Sequence, residues 1–288
     1  MSQLITIQND RLTVAISTVG AEIQSVRSKT GTEFIWEGDP AVWAGRAPIM
    51  FPLCGGLKDD TYTLNGKTYQ QQKHGFIRFA EFSVIRVSEN EAVLAATETA
   101  ETLATFPWPF TFTATFRLEG DSLAITYAVE NKDGDTMYFS VGGHEAYATP
   151  EGVDAYEAVF EKEEELAVNP LYGNLLGHDR QPFASGSVLP MKKEYFAVDA
   201  IVLETLNSRA VTLRRRGGGR SIRVEFPGFD HLLFWQKYDA PYLCVEPWNG
   251  MPDFIDSDGD ITHKPYITAL EGGKTYTLTH TVTFSEGE

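Results

Sequence analysis

Apolar and polar residues alternate with period two along most of this chain, the signature of half-buried β-strands. In "FTFTATFRLEGDSLAITYAVEN", Phe110, Phe112, Ala114 and Phe116 share one face before Glu119-Gly120-Asp121 turns the chain back. "LITIQNDRLTVAI" reads as two short strands around Asn9-Asp10, and "YTLNGKTYQ" carries Asn65-Gly66 between alternating residues. Asn-Gly suits a two-residue hairpin because both positions tolerate positive φ. "IVLETLNSRAVTLRRRGGGRSIRVEF" and "KTYTLTHTVTF" repeat the pattern. Helical periodicity is scarce, and only short turns are expected, for example around Met191–Tyr195. No Pro/Ser-rich linker and no internal repeat divides the chain. The pattern predicts one all-β domain over residues 1–288, an antiparallel sandwich or barrel.

Composition narrows the partners more than the fold. The formal charge is −16 with a pI near 4.8, which argues against nucleic acid or an anionic membrane, both polyanions. Small ligands are untouched by that argument. No apolar run approaches the roughly 18 residues of a membrane span. "MSQLITIQND" lacks a basic segment followed by an apolar one, so a cytoplasmic protein is expected. Cys54 and Cys244 each sit in an apolar run and read as buried free thiols. Three charge runs read as structural. "EKEEE" (161–165) suggests a solvated edge or loop, and "RRRGGGR" (214–220) an exposed hairpin tip. "DSDGD" (256–260) fails as a calcium loop, because glycine comes too early and Ile267 stands where the closing glutamate belongs.

Candidate chemistry gathers at a few positions. In "QKHGFIR", Gly75 behind His74 permits close backbone approach to a ligand, and Arg78 follows. His144 ends "FSVGGH", where Gly142-Gly143 leaves room for a neighbour at a strand terminus. His231 lies among apolar residues and reads as structural, whereas His178, His263 and His280 suggest no partner. No histidine spacing matches a metal motif, so no functional metal is expected. In "PYLCVEPWNG", Tyr242, Cys244 and Glu246 share one face of a strand that Pro247 is expected to stop. A carboxylate at that strand end is partly desolvated, which raises its pKa toward the range of a general base. The alternative for Glu246 is a structural ion pair. Asp199 is a lone acid just before an apolar strand.

Taken together, these segments resemble the aldose 1-epimerase (galactose mutarotase) family, in particular its LacX-like branch. "APIMFPLCGGLKDDTYTLNGKTYQQQKHGFIR", "FPWPFTFTATFRLEGDSLAITYAVEN", "FSVGGHEAY", "YFAVDAIVLETLNSRAVTL" and "YLCVEPWNGMPD" follow the family's order over nearly the whole chain. The resemblance implies a large antiparallel β-sandwich, the galactose mutarotase-like supersandwich, with a sugar bound on a concave face. It implies Glu246 as general base, His144 as general acid, His74 and Arg78 as substrate contacts, and Asp199 as a contact to sugar hydroxyls. Two positions depart from the pattern. Glu145 stands where the family commonly has proline after the histidine, and Gly56 where many members have arginine. Arg46 or Lys58 is expected to replace that arginine.

The implied reaction interconverts α and β anomers of a hexose and needs no cofactor. A base removes the C1 hydroxyl proton while an acid protonates the ring oxygen; the ring opens, C1 rotates and the ring closes on the other face. Trp43, Trp248 or Phe139 would stack on the sugar. The partner is a small-molecule sugar, and the chain is expected as a monomer or homodimer. Three alternatives stay open: a hexose-6-phosphate 1-epimerase, with Arg46, Lys58 and Arg78 near the phosphate; a glycoside hydrolase using Glu246 and Asp199; and a non-catalytic sugar-binding protein.

Overall fold

The computed structural model describes residues 3–287, so Met1, Ser2 and Glu288 of the expected domain lie outside the described residues. The expected alternation becomes two large antiparallel sheets. Nine strands form the first, in the spatial order Gln181–Pro190, Tyr156–Val168, Ala210–Arg215, Ser221–Glu225, Thr275–Ser285, Ser122–Asn131, Phe110–Glu119, Glu91–Thr97, Ser83–Val87. The second runs Ile201–Leu203, His231–Trp235, Tyr242–Trp248, Gly142–Gly143, Ile49–Met50, and Glu145–Ala148 also pairs with Tyr242–Trp248. A three-stranded sheet of Leu4–Gln8, Leu12–Ser17 and Ile23–Ser28 joins them.

The core lies between the two large sheets because each strand sends every second residue inward. Phe110, Phe112, Ala114, Phe116 and Leu118 are all buried, while the residues between them are more exposed. The second sheet contributes Leu203, Leu232, Phe234, Leu243 and Val245 to the same apolar cluster. Residues on its opposite face, Val202, Leu233 and Trp248, pack in a separate cluster on the outer side. That outer face is the floor of a cleft.

Several local expectations change on folding. The run 161–165 lies inside the strand Tyr156–Val168, and Glu161, Lys162, Glu163 and Glu165 are exposed there as expected. One of its acids, Glu164, is buried and accepts hydrogen bonds from the Asn207 and Ser208 amides at 3.0 and 2.7 Å. An α-helix at Ala100–Thr105 has no apolar stripe to announce it; Thr99 and Thr102 cap its start reciprocally. The turn expected near Met191–Tyr195 is a 3₁₀ turn at Lys193–Phe196. The arginine-glycine run is a hairpin tip, with Arg214 held by Glu157 and Arg215 by Glu151.

One tight approach fixes the loop that leads to the cleft. The Phe51 carbonyl accepts hydrogen bonds from the Phe76 and Ile77 amides at 3.0 and 3.1 Å. Gly75 has φ +69°, and a Cβ there would lie 2.2 Å from the Phe51 carbonyl oxygen. The Phe51 ring is fully buried beside Phe110, Phe112 and Phe106, with centroids 5.1–5.5 Å away.

Phe51→Ala should therefore cost about 3–5 kcal/mol, the range for truncating a buried phenylalanine. A urea midpoint within error of the parent would contradict this. Gly75→Ala and Gly66→Ala separate backbone strain from collision. Gly66 also has positive φ (+78°), but a Cβ there meets nothing within 4 Å. Gly66→Ala should show only the left-handed penalty of about 1–2 kcal/mol, and Gly75→Ala clearly more. Equal losses in denaturant titration would show that the Phe51 carbonyl is not a constraint.

Candidate active site

The ladder between two neighbouring strands sets the centre of the cleft. Gly142 pairs with Trp248, and Glu145 pairs with Val245. That register puts His144 directly opposite Glu246, where cross-strand Cβ atoms lie about 4.5–5.5 Å apart. The regular ladder is interrupted between these pairs, at His144. The side chains meet accordingly: His144 Nε2 is 3.5 Å from Glu246 Oε2.

Pro247 does not stop the strand, contrary to expectation. The strand runs Tyr242–Trp248, with Pro247 opposite Leu232. Proline is tolerated because its missing N–H falls in the interrupted stretch of the ladder. Glu246 consequently lies within a strand, with only 1% exposure, and burial pushes its carboxyl well above the ordinary range. Lys73 opposes that shift, whereas Glu145 and Asp199 add to it. Burial acts oppositely on His144, pushing it down to about 3, and the charges of Lys73 and Arg78 push the same way. Among the described residues, neither His144 Nδ1 nor Glu246 Oε2 has a hydrogen-bond partner. Two uncommitted polar atoms at the floor of a cleft are free to engage a ligand.

The glycine pair before His144 leaves room on both faces. A Cβ on Gly142 would lie 2.6 Å from the Trp248 ring, and one on Gly143 2.6 Å from the Glu145 carboxylate. Trp248 Nε1 donates to the Gly143 carbonyl at 3.2 Å. Glu145 faces away from the cleft, into the sandwich, where its Oε1 lies 3.0 Å from His280 Nε2. His280 thus has a partner that its local sequence did not suggest; so do His178 with Asp256 and His263 with Asp258, both on the surface. His231 is structural, its Nδ1 2.7 Å from the Glu204 carbonyl.

His74 closes one wall. Its Nδ1 accepts the Gly55 amide at 3.1 Å, which leaves the proton of the neutral ring on Nε2. Burial, with neighbouring His144, Lys73 and Arg78, pushes its pKa well down, so His74 stays an uncharged donor. Its ring meets His144 edge-on at 5.7 Å and Trp248 at 5.5 Å. Arg78 is anchored by one nitrogen to the Lys73 carbonyl at 2.9 Å, and its buried Nε has no partner.

The cleft encloses about 420 Å³ and is lined by Glu246, His144, His74, Arg78, Asp199 and Lys73, with Trp43, Trp235, Trp248 and Asn174 among the remaining walls. A larger surface hollow of about 510 Å³ runs beside Asp60, Gln71 and Glu101, but it has no histidine–carboxylate pair. The cleft thus unites five of the expected residues and excludes two. Arg46 is spent on structure, donating to the Gln24 carbonyl at 2.6 Å. Lys58 turns outward to the Ser257 carbonyl at 3.2 Å. Phe139 is likewise absent from the cleft, fully buried against Phe51. The space at Gly56 is taken by Asn174, whose Cβ would stand 2.8 Å from a Gly56 Cβ. Asn174 in turn accepts from Lys73 Nζ at 3.0 Å. Lys73, Trp235 and Asn174 were not anticipated. Lys73 adjoins His74 in sequence, but Asn174 is about a hundred residues away and carries no local signal.

Comparison with known proteins agrees with this architecture. The family model for aldose 1-epimerase matches residues 3–283. The LacX protein of Lactococcus lactis subsp. lactis is 32% identical over 281 residues, covering 92% of this chain and 94% of its own. A galactose mutarotase related enzyme from Lactobacillus acidophilus superposes with TM-score 0.93 at 32% identity, over 98% of this chain and 97% of that one. A galactose mutarotase-like protein from Lactobacillus casei gives TM-score 0.94 at 29% identity, over 98% and 100%. This all-β sandwich belongs to the aldose 1-epimerase family, isomerases that act on carbohydrates.

Proposed function

We propose that the chain interconverts the α and β anomers of a hexose, with Glu246 and His144 as the proton-transfer pair. The observation that carries this reading is their 3.5 Å separation on the floor of a sugar-sized cleft. Ring opening requires one proton taken from the C1 hydroxyl and one given to the ring oxygen, so a pair holding a single proton suffices. Burial favours that proton on Glu246 and an uncharged His144. Sugar hydroxyls entering the cleft solvate both groups, and the proton passes to His144. The Glu246 carboxylate then acts on the C1 hydroxyl and the imidazolium on the ring oxygen. His74, Arg78 and Asp199 hold the other hydroxyls, and Trp43 and Trp248 flank the ring's C–H faces. A hexose-6-phosphate is the second reading, favoured by two cations, Lys73 and Arg78, in the same cleft.

Glu246→Gln and His144→Ala should each slow mutarotation by about 10²–10⁴-fold, the usual worth of a positioned acid or base. Polarimetry of freshly dissolved anomers reads this directly. Near-normal rates in a folded Glu246→Gln protein would sink the assignment.

The pH profile tests the shared proton. Below the window in which the pair holds one proton, His144 takes up a second; above it, Glu246 loses the last. Because His144 is pushed down to about 3, kcat/KM should show no acid limb in the ordinary histidine range, near 6.5. It should fall as pH rises through the raised value of Glu246. An acid limb centred on the ordinary histidine value would contradict this.

Arg78→Ala should mainly raise KM, by about 10–150-fold if one charge-assisted hydrogen bond worth about 1.5–3 kcal/mol is lost. Running this variant on free hexoses and on hexose-6-phosphates distinguishes the two substrate readings. Unchanged KM for every accepted sugar would remove Arg78 from the binding set.

A further inference from the structure

Cys244 lies two residues before Glu246, on the same face of the strand Tyr242–Trp248, and proton transfer between Glu246 and His144 does not use it. One donor atom from each of His144, Cys244 and Glu246 lies within 4.8 Å of the others, and all three residues are buried. We propose that these three side chains form an inhibitory site for a thiophilic divalent cation of the zinc class, reached through the cleft.

Four features favour a site for this cation class. An imidazole nitrogen, a thiolate and a carboxylate form a donor set suited to zinc, whereas magnesium and calcium prefer all-oxygen sites. Their separations, all within 4.8 Å, reach beyond the donor spacing of a tetrahedral zinc site, so binding would draw the side chains inward. Glu246 Oε2 is buried without a hydrogen-bond partner, so coordination would satisfy an atom the fold leaves open. Charge also balances: a dication with one thiolate, one carboxylate and a neutral imidazole is net neutral, which suits a buried position. Binding expels the Cys244 thiol proton, and the Glu246 proton where that group is protonated. The His144 and Cys244 segments lie about a hundred residues apart, which is why ligand spacing in the sequence gave no sign of the site. The ladder brings them together: Ala146, two residues past His144, pairs with Cys244.

An ion held there occupies both proposed proton-transfer groups, so it inhibits rather than catalyses. The test does not depend on that reading, because its primary measurement is binding. Zinc titrated calorimetrically into the purified chain should bind with a stoichiometry near one and release protons. Cobalt(II) should give a thiolate-to-metal charge-transfer band. Cys244→Ser should abolish that band and weaken zinc binding by at least about tenfold, since even outer ligand contacts are worth that much. Cys244→Ala guards against a folding defect peculiar to serine, and Cys54→Ala should leave the band intact. Metal-free Cys244→Ser should retain the parent rate with whichever sugar the parent accepts. A band that follows Cys54 would overturn the proposal. So would zinc affinity unchanged in both Cys244 variants, as expected if the surface pairs His178–Asp256 and His263–Asp258 bind the metal.

Discussion

The strand Tyr242–Trp248 is buried on both faces, and its two faces do opposite work. Leu243 and Val245 join the apolar core between the sheets, while on the other face Glu246 and Trp248 line the cleft and Tyr242 and Cys244 pack in an apolar cluster beside it. Because side chains alternate with period two, a slip of one residue would drive Glu246 into the core and Val245 into the cleft. The apolar face therefore fixes register, and register fixes the acid opposite its histidine. The geometry of the site follows from a hydrophobic constraint, with no recognition between Glu246 and His144 needed to establish it.

The same strand pair explains two irregularities that would otherwise look like defects. Gly143 and Pro247 fall where the ladder between the strands is interrupted, just after the Gly142–Trp248 pair. Proline has no amide to contribute there, and the glycines make room for the Trp248 ring and the Glu145 carboxylate. The break lets the acid and the imidazole face the cleft without a continuous ladder between them. Positions that weaken a strand elsewhere are confined here to the place where function needs an opening.

Much of this was legible in the sequence, and the reason differs from one residue to the next. Alternation in "FTFTATF" and "YLCVE" gave the strands and their faces, because period-two patterning is a local record of burial. His144, Glu246, His74, Arg78 and Asp199 stood out through neighbours, such as glycine beside histidine, and through family resemblance. What failed was long-range. Arg46 and Lys58 were expected in the cleft, but their partners, the Gln24 and Ser257 carbonyls, leave no trace near either residue in the chain. Asn174 fills the gap at Gly56 from a separate hairpin, and Glu164, alone among the acids at 161–165, is buried against the Asn207 and Ser208 amides, which come later in the sequence.

Glu145 shows how one backbone step couples the core to the cleft. His144 and Glu145 are consecutive, so they project to opposite faces of the same strand. The histidine meets Glu246 in the cleft, and the acid enters the sandwich, where His280 holds it at 3.0 Å and Tyr127 lies 3.5 Å away. A proline at this position, which the family resemblance leads one to expect, would add no carboxyl and would forfeit the amide that pairs with Val245. The glutamate keeps the ladder and puts a buried carboxyl on the opposite face of the strand from the pair. Its proximity is one cause of the high proton affinity of Glu246, after burial itself. Burying a carboxylate is costly unless it is paired, so the fold tolerates Glu145 only with His280 beside it. His280 sits on Thr275–Ser285, in the other large sheet. The electrostatics of the cleft floor thus depend on a contact between the two sheets, made on the side of the strand that no ligand in the cleft touches.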